Sequence, residues 1–281
     1  MLGLLGLAAL AIAVVAAVAM GTVAVPATET VAILAHRLGW PAEQTWAASS
    51  ETIVVTLRLP RVLTALIVGL GLSVAGVTYQ GLLRNPLAEP GVLGVSATAA
   101  FAALLALYFG AAALTPWALP LAAIAGALAA TGLIAAAALR TRSVVTLILV
   151  GVGLSSFAAA LTSLLINLAH SPFTLADMIN WMLGTVANRS LADLAFALPF
   201  VAAGAAILLA SRRGLSALVL GEESAEALGV NLPRQRLLVV LGAGLATGGA
   251  VALAGSIGFV GIVAPHLVRP AVGHDPARSL L

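Results

Sequence analysis

The sequence contains neither cysteine nor lysine, and only 8% of its 281 residues are charged. Without cysteine there is no disulfide framework, no thiolate metal site and no cysteine nucleophile. Without lysine a phosphate-binding loop of the G-x-x-x-x-G-K-[ST] type cannot be built, because its lysine holds the nucleotide phosphates. If ATP drives this protein, another chain hydrolyses it. Soluble domains carry roughly 25% charged residues, whereas 62% of this chain is hydrophobic, so it reads as an all-α polytopic membrane protein. Apolar runs recur along the whole length and leave no stretch for a separate soluble domain, which predicts one membrane domain over residues 1–281. The sequence pI is about 10.5, but the net charge is only +3 and the arginines are scattered between apolar runs. They form no patch for nucleic acid. No nucleophile with a base and an orienting acid can be assembled. The spans also carry no ionisable residue of the kind that marks ion pathways, which argues against a proton- or ion-coupled carrier.

Apolar windows of about 19 residues predict eight spans, near 4–25, 62–83, 92–114, 117–139, 144–168, 191–210, 237–254 and 256–271. The first lacks the basic leading region and short apolar core of a signal peptide, and is read as a retained helix. With the N-terminus cytoplasmic, alternation places Arg84, Arg140, Arg142, Arg212, Arg213, Arg234, Arg236, Arg269 and Arg278 inside. Arg37, Arg58, Arg61 and Arg189 then lie outside. Nine against four obeys the positive-inside rule. Gly255-Ser256-Ile257-Gly258 supplies a tight turn between the last two spans. Residues 26–61 and 169–190 are expected to form outer segments, and 212–236 the longest inner loop. Trp40, Trp46, Trp117 and Trp181 fall at span ends, as interfacial anchors do.

Two polar stretches stand out. Arg84-Asn85-Pro86-Leu87-Ala88-Glu89-Pro90-Gly91-Val92-Leu93-Gly94-Val95-Ser96 separates two apolar runs and is expected at a membrane face. In the inner loop, Gly221-Glu222-Glu223-Ser224-Ala225-Glu226-Ala227-Leu228-Gly229 reads as one or two short amphipathic helices outside the membrane, ended by Gly229 and Pro233. The fifth span carries Ser155, Ser156, Thr162, Ser163 and Asn167, a weakly polar set that either lines a path or bonds neighbouring helices. His170, Asp177 and Asn180 are too weakly spaced to argue for a metal site.

Leu57-Arg58-Leu59-Pro60-Arg61, the block from Gln80 to Ser96, the block from Leu220 to Gly229, and Gly255-Ser256-Ile257-Gly258-Phe259-Val260-Gly261-Ile262-Val263-Ala264-Pro265-His266-Leu267-Val268-Arg269 occur in one order. In that order they resemble the permease subunits of ABC importers for iron-siderophores, haem and cobalamin. The resemblance implies a type II importer: a homodimer of permeases, two ATPase subunits holding ATP and Mg, and a periplasmic or lipid-anchored binding protein, in a bacterial inner membrane. The permease itself would be no enzyme and hold no cofactor. Glu222, Glu223, Ala225, Glu226, Leu228 and Gly229 would then dock on the ATPase. Arg58 and Arg61 would meet acidic residues of the binding protein, unless they only snorkel to lipid headgroups. The fifth-span polar set would line the path. The expected cargo is an iron chelate, a ferric siderophore or haem, with cobalamin as runner-up; a secondary transporter independent of an ATPase is the alternative of another class. Members usually have ten helices, so this chain is expected to lack the last two, with residues 273–281 as the connector towards the ninth. An eight-span product is expected to insert with both termini cytoplasmic and to transport little unless two further spans are supplied.

Overall fold

The fold is described from a computed structural model covering every residue except Met1, Ala42, Glu43, Arg142, His274 and Leu281. Arg142, counted above among the inside arginines, Ala42 and Glu43 of the outer segment 26–61, and His274 and Leu281 of the connector thus lie outside the described residues. The described chain is helical throughout, without strands. Five helices are long and apolar enough to cross a membrane, and three shorter apolar helices accompany them, so each of the eight apolar runs contains a helix.

The helices are α1 Leu2–Ala19, α2 Ala27–Arg37, α3 Ala48–Thr52, α4 Leu59–Leu83, α5 Val95–Tyr108, α6 Ala118–Arg140, α7 Val144–Asn167, α8 Pro172–Leu183, α9 Leu191–Leu218, α10 Glu222–Ala227, α11 Leu232–Ala254, α12 Val260–Val272 and α13 Pro276–Ser279. A π-helical stretch, Ile53–Arg58, joins α3 to α4 as one helix of 36 residues. The expected outer loop 26–61 is therefore largely helical, and Arg58 and Arg61 lie within a helix instead of ahead of one.

The contacts divide the chain into two units. The first, Met1–Leu66 with Val186–Ala195, has its own core of Val18, Val25, Ile33, Trp46 and Val54. Trp46 is buried there and donates its indole N–H to Glu51, 3.3 Å away, while Arg37 pairs with the same carboxylate at 2.6 Å. Trp46 is therefore not an interfacial anchor. Its hydrogen bond, aided by Arg37, holds the Glu51 carboxyl below the usual range. Trp40 is exposed, as an anchor requires.

In the second unit, Ile67–Thr185 with Phe196–Leu281, α11 is the central helix. Its most apolar stretch is 78% buried, against 17% for α7, which packs at the edge. Helices approach closely where small residues face one another, since van der Waals fit drives association in lipid. A Cβ on Gly204 would stand 2.5 Å from the Gly242 carbonyl oxygen, and one on Gly76 only 2.0 Å from that of Gly261. Leu83, Leu218 and α10 gather at one end of the unit, in a cluster shared with Leu82, Leu215 and Ala225. Tyr108, Leu165 and Met178 of α8 gather at the other.

The polar stretch 84–96 does not stay at a membrane face. Arg84 to Leu87 are exposed, but Ala88, Pro90 and Leu93 are buried, and the 3-10 turn Pro90–Leu93 rests against the middle of α7. Ser155, at the centre of that helix, donates its Oγ–H to the Gly91 carbonyl at 3.3 Å. Gly151 makes room, for a Cβ there would lie 2.6 Å from the Leu93 Cα. Gly94, at φ 78°, turns the chain from the re-entrant stretch into α5. Backbone outside a regular helix is tolerated at membrane depth only where protein surrounds it, and here α4, α7 and α12 do so. As a consequence α5 starts near mid-depth and spans only about 21 Å. The predicted span 92–114 is thus a half-length helix after a re-entrant turn. The last predicted span behaves alike: Ser256 to Gly258 are non-helical and α12 begins at Val260, beside Gly76 in the middle of α4.

Candidate functional site

The inner loop resolves into one helix of six residues, α10, bracketed by Gly221 at φ 102° and Gly229 at φ 86°. Residues 212–218 belong to α9 and residues from Leu232 to α11, so the connection is shorter than the sequence reading had it. Asn231 caps α11 by accepting the Arg234 N–H at 3.0 Å. One turn on, Arg236 is 2% exposed and donates from Nη2 to Glu222 Oε1 at 2.8 Å, tying α11 to the start of α10. Its Nη1 has no partner among the described residues. Ala225 is buried in the core cluster, while Glu223, Glu226 and Gly229 are exposed and Leu228 is 66% exposed. Of the six expected docking residues, Ala225 and Glu222 thus serve the bundle, and Glu223, Glu226, Leu228 and Gly229 form the free face.

The buried cation was missed in the sequence, although an arginine opening an otherwise apolar helix fourteen residues after a glutamate was a usable signal. Breaking a buried ion pair from one side is costly, because the remaining charge is left uncompensated. Glu222→Gln is therefore expected to destabilise the protein by about 3 kcal/mol, with Glu222→Gln/Arg236→Met recovering most of the loss. Chemical unfolding of both variants checks this, and a loss below about 1 kcal/mol for the single variant would show that water screens Arg236.

The fifth-span polar set divides between two faces of α7. Thr162 is buried, and Ser155 is committed to the re-entrant turn. Ser156, Ser163 and Asn167 are exposed on the uncovered side, in line with Gly153, whose missing Cβ faces open space. Asn167 spends one amide N–H on the Ser163 carbonyl at 2.8 Å.

The re-entrant turn also brings in a charge that hydropathy hid. Glu89 is half-buried beside a cavity of about 100 Å³ whose walls include Leu72, Ser96, Ser256 and Phe259. Glu89 and Arg236 lie just outside the predicted spans 92–114 and 237–254, yet the first is half-buried and the second buried. Gln80 is 5% exposed and clamps α4 to α12: its amide donates to the Gly261 carbonyl at 3.1 Å, and its oxygen accepts from Arg269. His170 stacks on Tyr108 with ring centroids 4.4 Å apart, and Asp177 and Asn180 are exposed on α8.

In the first unit, Arg58 reaches back to the end of α1. It donates to the carbonyls of Val18 at 3.0 Å and Ala19 at 2.6 Å, and also to that of Val23. Those of Val18 and Ala19 are orphan carbonyls of a helix terminus, which a cation satisfies well. Arg58 is thus spent on capping, and of the expected docking pair only the exposed Arg61 is free.

Comparison with known proteins agrees with this layout. The YvrB protein of Bacillus subtilis, an uncharacterised ABC transporter permease, is 38% identical over 233 residues, covering 81% of this chain and 65% of its own length. The cobalamin import permease BtuC of Halobacterium salinarum is 36% identical over 259 residues, 88% of this chain and 69% of its own. The molybdate import permease MolB of Haemophilus influenzae is 38% identical over 232 residues, 82% and 68%. The chain thus spans about two thirds of the length of these relatives. A solved structure, assigned as a metal-chelate type ABC transporter in an inward-facing conformation, superimposes with a TM-score of 0.81 at 32% identity, covering 96% of this chain and 83% of the other. Residues 9–281 match the FecCD transport family, and with the permease relatives this establishes that the chain belongs to the FecCD family of ABC importer permeases.

Proposed function

We propose that the chain is the membrane-spanning permease subunit of an ATP-driven importer that carries an iron chelate, a ferric siderophore or haem, across the bacterial inner membrane. The observation that carries this reading is α10. Its free face offers Glu223, Glu226 and Leu228, and its base is locked to α11 by the Arg236–Glu222 pair. An exposed helix with a rigid root suits a device that receives force from a partner. A motor subunit holding ATP and Mg docks there, its basic residues meeting the glutamates. Two copies of the permease pair along the uncovered side of α7, where Ser156, Ser163 and Asn167 line the path with groups that bind weakly enough to release a large ligand. Residues 1–281 act as one permease domain, with 212–236 as its coupling loop. A binding protein outside the membrane delivers the cargo.

The metal-chelate description of the structural neighbour supports an iron chelate. Cobalamin is the second reading, because six of the relatives are named for cobalamin or vitamin B12 import. The test is to co-express the chain, with two further spans supplied, together with its ATPase and binding protein, then measure co-purification and uptake of labelled ferric siderophore, haem, cobalamin and molybdate. Co-purification with iron-chelate or haem uptake is expected. Stimulation by cobalamin or molybdate alone would sink the cargo assignment, and failure of the ATPase to co-purify would sink the permease reading, since a self-sufficient carrier needs no motor.

A further inference from the structure

The C-terminal ends of α4, α9 and α12 and the short α13 enclose a cavity of about 320 Å³ within the second unit, on the side expected to face the cytoplasm. Helix α13 can close it because Gly81 has no side chain, for a Cβ there would stand 2.9 Å from Pro276 Cγ. Val77, Val219 and Pro265 form apolar walls, and the charged groups in the lining are Arg84 and Arg269. Among the described residues no carboxylate lines the cavity. The adjoining Asp275 is already engaged, accepting at Oδ1 from Ser216 Oγ at 2.6 Å and from the Ala277 N–H at 2.9 Å. Arg269 is held in place by donating Nη2 to Gln80, which leaves its other N–H groups unspent. Asn85 accepts the Leu87 N–H at 2.9 Å through its side-chain oxygen, so its amide group remains to donate. Arg84 is exposed, and its side chain has no hydrogen bond or ion pair among the described residues. It stands at φ 48°, directly after the last residue of α4, where glycine is the favoured residue. The chain thus keeps a free cation where the backbone favours no side chain at all.

We infer that this cavity binds a phosphate-bearing anion, held by the guanidinium groups of Arg84 and Arg269 with the Asn85 amide as a further donor. Guanidinium matches phosphate oxygens through two parallel N–H bonds, and a lining of unspent donors without a carboxylate suits such a group. Two sources present these oxygens, a phospholipid head group and free phosphate. Basic pockets between membrane helices on the cytoplasmic side suit the first, and the apolar walls would take its glycerol and the start of an acyl chain. The volume lies at the low end of small-molecule sites, roughly 300 to 1,000 Å³, so it holds a head group and not a whole lipid. The inference is independent of the cargo and of the coupling helix.

The test reconstitutes the chain in phosphatidylcholine nanodiscs with and without phosphatidylglycerol. Native mass spectrometry counts the lipid retained through detergent exchange, and calorimetry follows inorganic phosphate added to the discs that lack phosphatidylglycerol. One bound anion per chain is expected. Retained phosphatidylglycerol identifies a lipid head as the source, and saturable phosphate binding without retained lipid identifies the free ion. In either case binding should fall about tenfold in Arg84→Gly and in Val219→Glu, which adds a carboxylate to the wall at an exposed position. Arg84→Gly should at the same time raise the thermal unfolding temperature, because glycine relieves the left-handed backbone, so its lost binding cannot be ascribed to misfolding. Binding of neither probe, or equal binding in all variants, would overturn the inference. So would a wild type that binds neither probe together with weaker ATPase co-purification in Arg84→Gly, which would assign the cavity to an acidic residue of that partner.

Discussion

An importer reconstituted with Leu228→Asp will insert and fold normally yet lose ATP-driven uptake by about a hundredfold. Leu228 closes α10, is 66% exposed, and has its N–H satisfied by the Ser224 carbonyl at 3.0 Å. Nothing in the bundle depends on its side chain, and substitutions at such positions usually change stability by no more than about 0.5 kcal/mol. If a motor subunit closes over the free face, the same leucine becomes an apolar anchor, and a carboxylate there must be desolvated without a partner. A penalty of about 3 kcal/mol is typical of such a change, and at about 1.4 kcal/mol per decade it amounts to two orders of magnitude. Uptake and motor co-purification are to be measured together. Wild-type values for both would remove α10 from the coupling mechanism, and unfolded protein would mean that Leu228 packs where the structure leaves it exposed.

Gly76→Ala will destabilise the bundle by about 3 kcal/mol, whereas Gly69→Ala, two turns earlier on the same helix, will be close to neutral. A Cβ on Gly76 would stand 2.0 Å from the Gly261 carbonyl oxygen and 2.7 Å from its carbon, and both are backbone atoms that no rotamer change can move. A Cβ on Gly69 would meet nothing within 4 Å. Pushing α12 from α4 also pulls the Gly261 carbonyl and Arg269 away from Gln80, leaving a buried amide with neither of its partners, and an unmade buried hydrogen bond carries its own desolvation penalty. Thermal unfolding in detergent and protease sensitivity at residues 255–260 measure the effect. Equal stability of the two alanine variants would show that the α4–α12 crossing is looser than described.

The sequence by itself determined what depends on composition and local pattern. Sixty-two per cent hydrophobic residues with almost no charge require a membrane as solvent, and each of the eight apolar runs contains a helix. The short helix α10 was legible because glycines bracket a short acidic stretch, and the four family blocks because their residues are contiguous. Depth and partnership were not legible. A hydropathy window averages about nineteen residues, so it assigns a turn with two prolines and two glycines to the surface. The structure instead folds Ala88 to Leu93 back to the centre of α7, because Gly151 has no side chain to keep the Leu93 backbone out and Ser155, 64 residues away in sequence, meets the Gly91 carbonyl. The same long-range contacts decided that Glu89 enters the bundle, that Gln80 bonds to a residue 181 positions on, and that Arg58 caps α1 across 40 residues of chain. They also decided that Ala225 faces inward while its neighbours do not. Tertiary structure settled these points because a missing Cβ, or a carbonyl left over at a helix end, becomes a binding partner only when a distant segment arrives to use it.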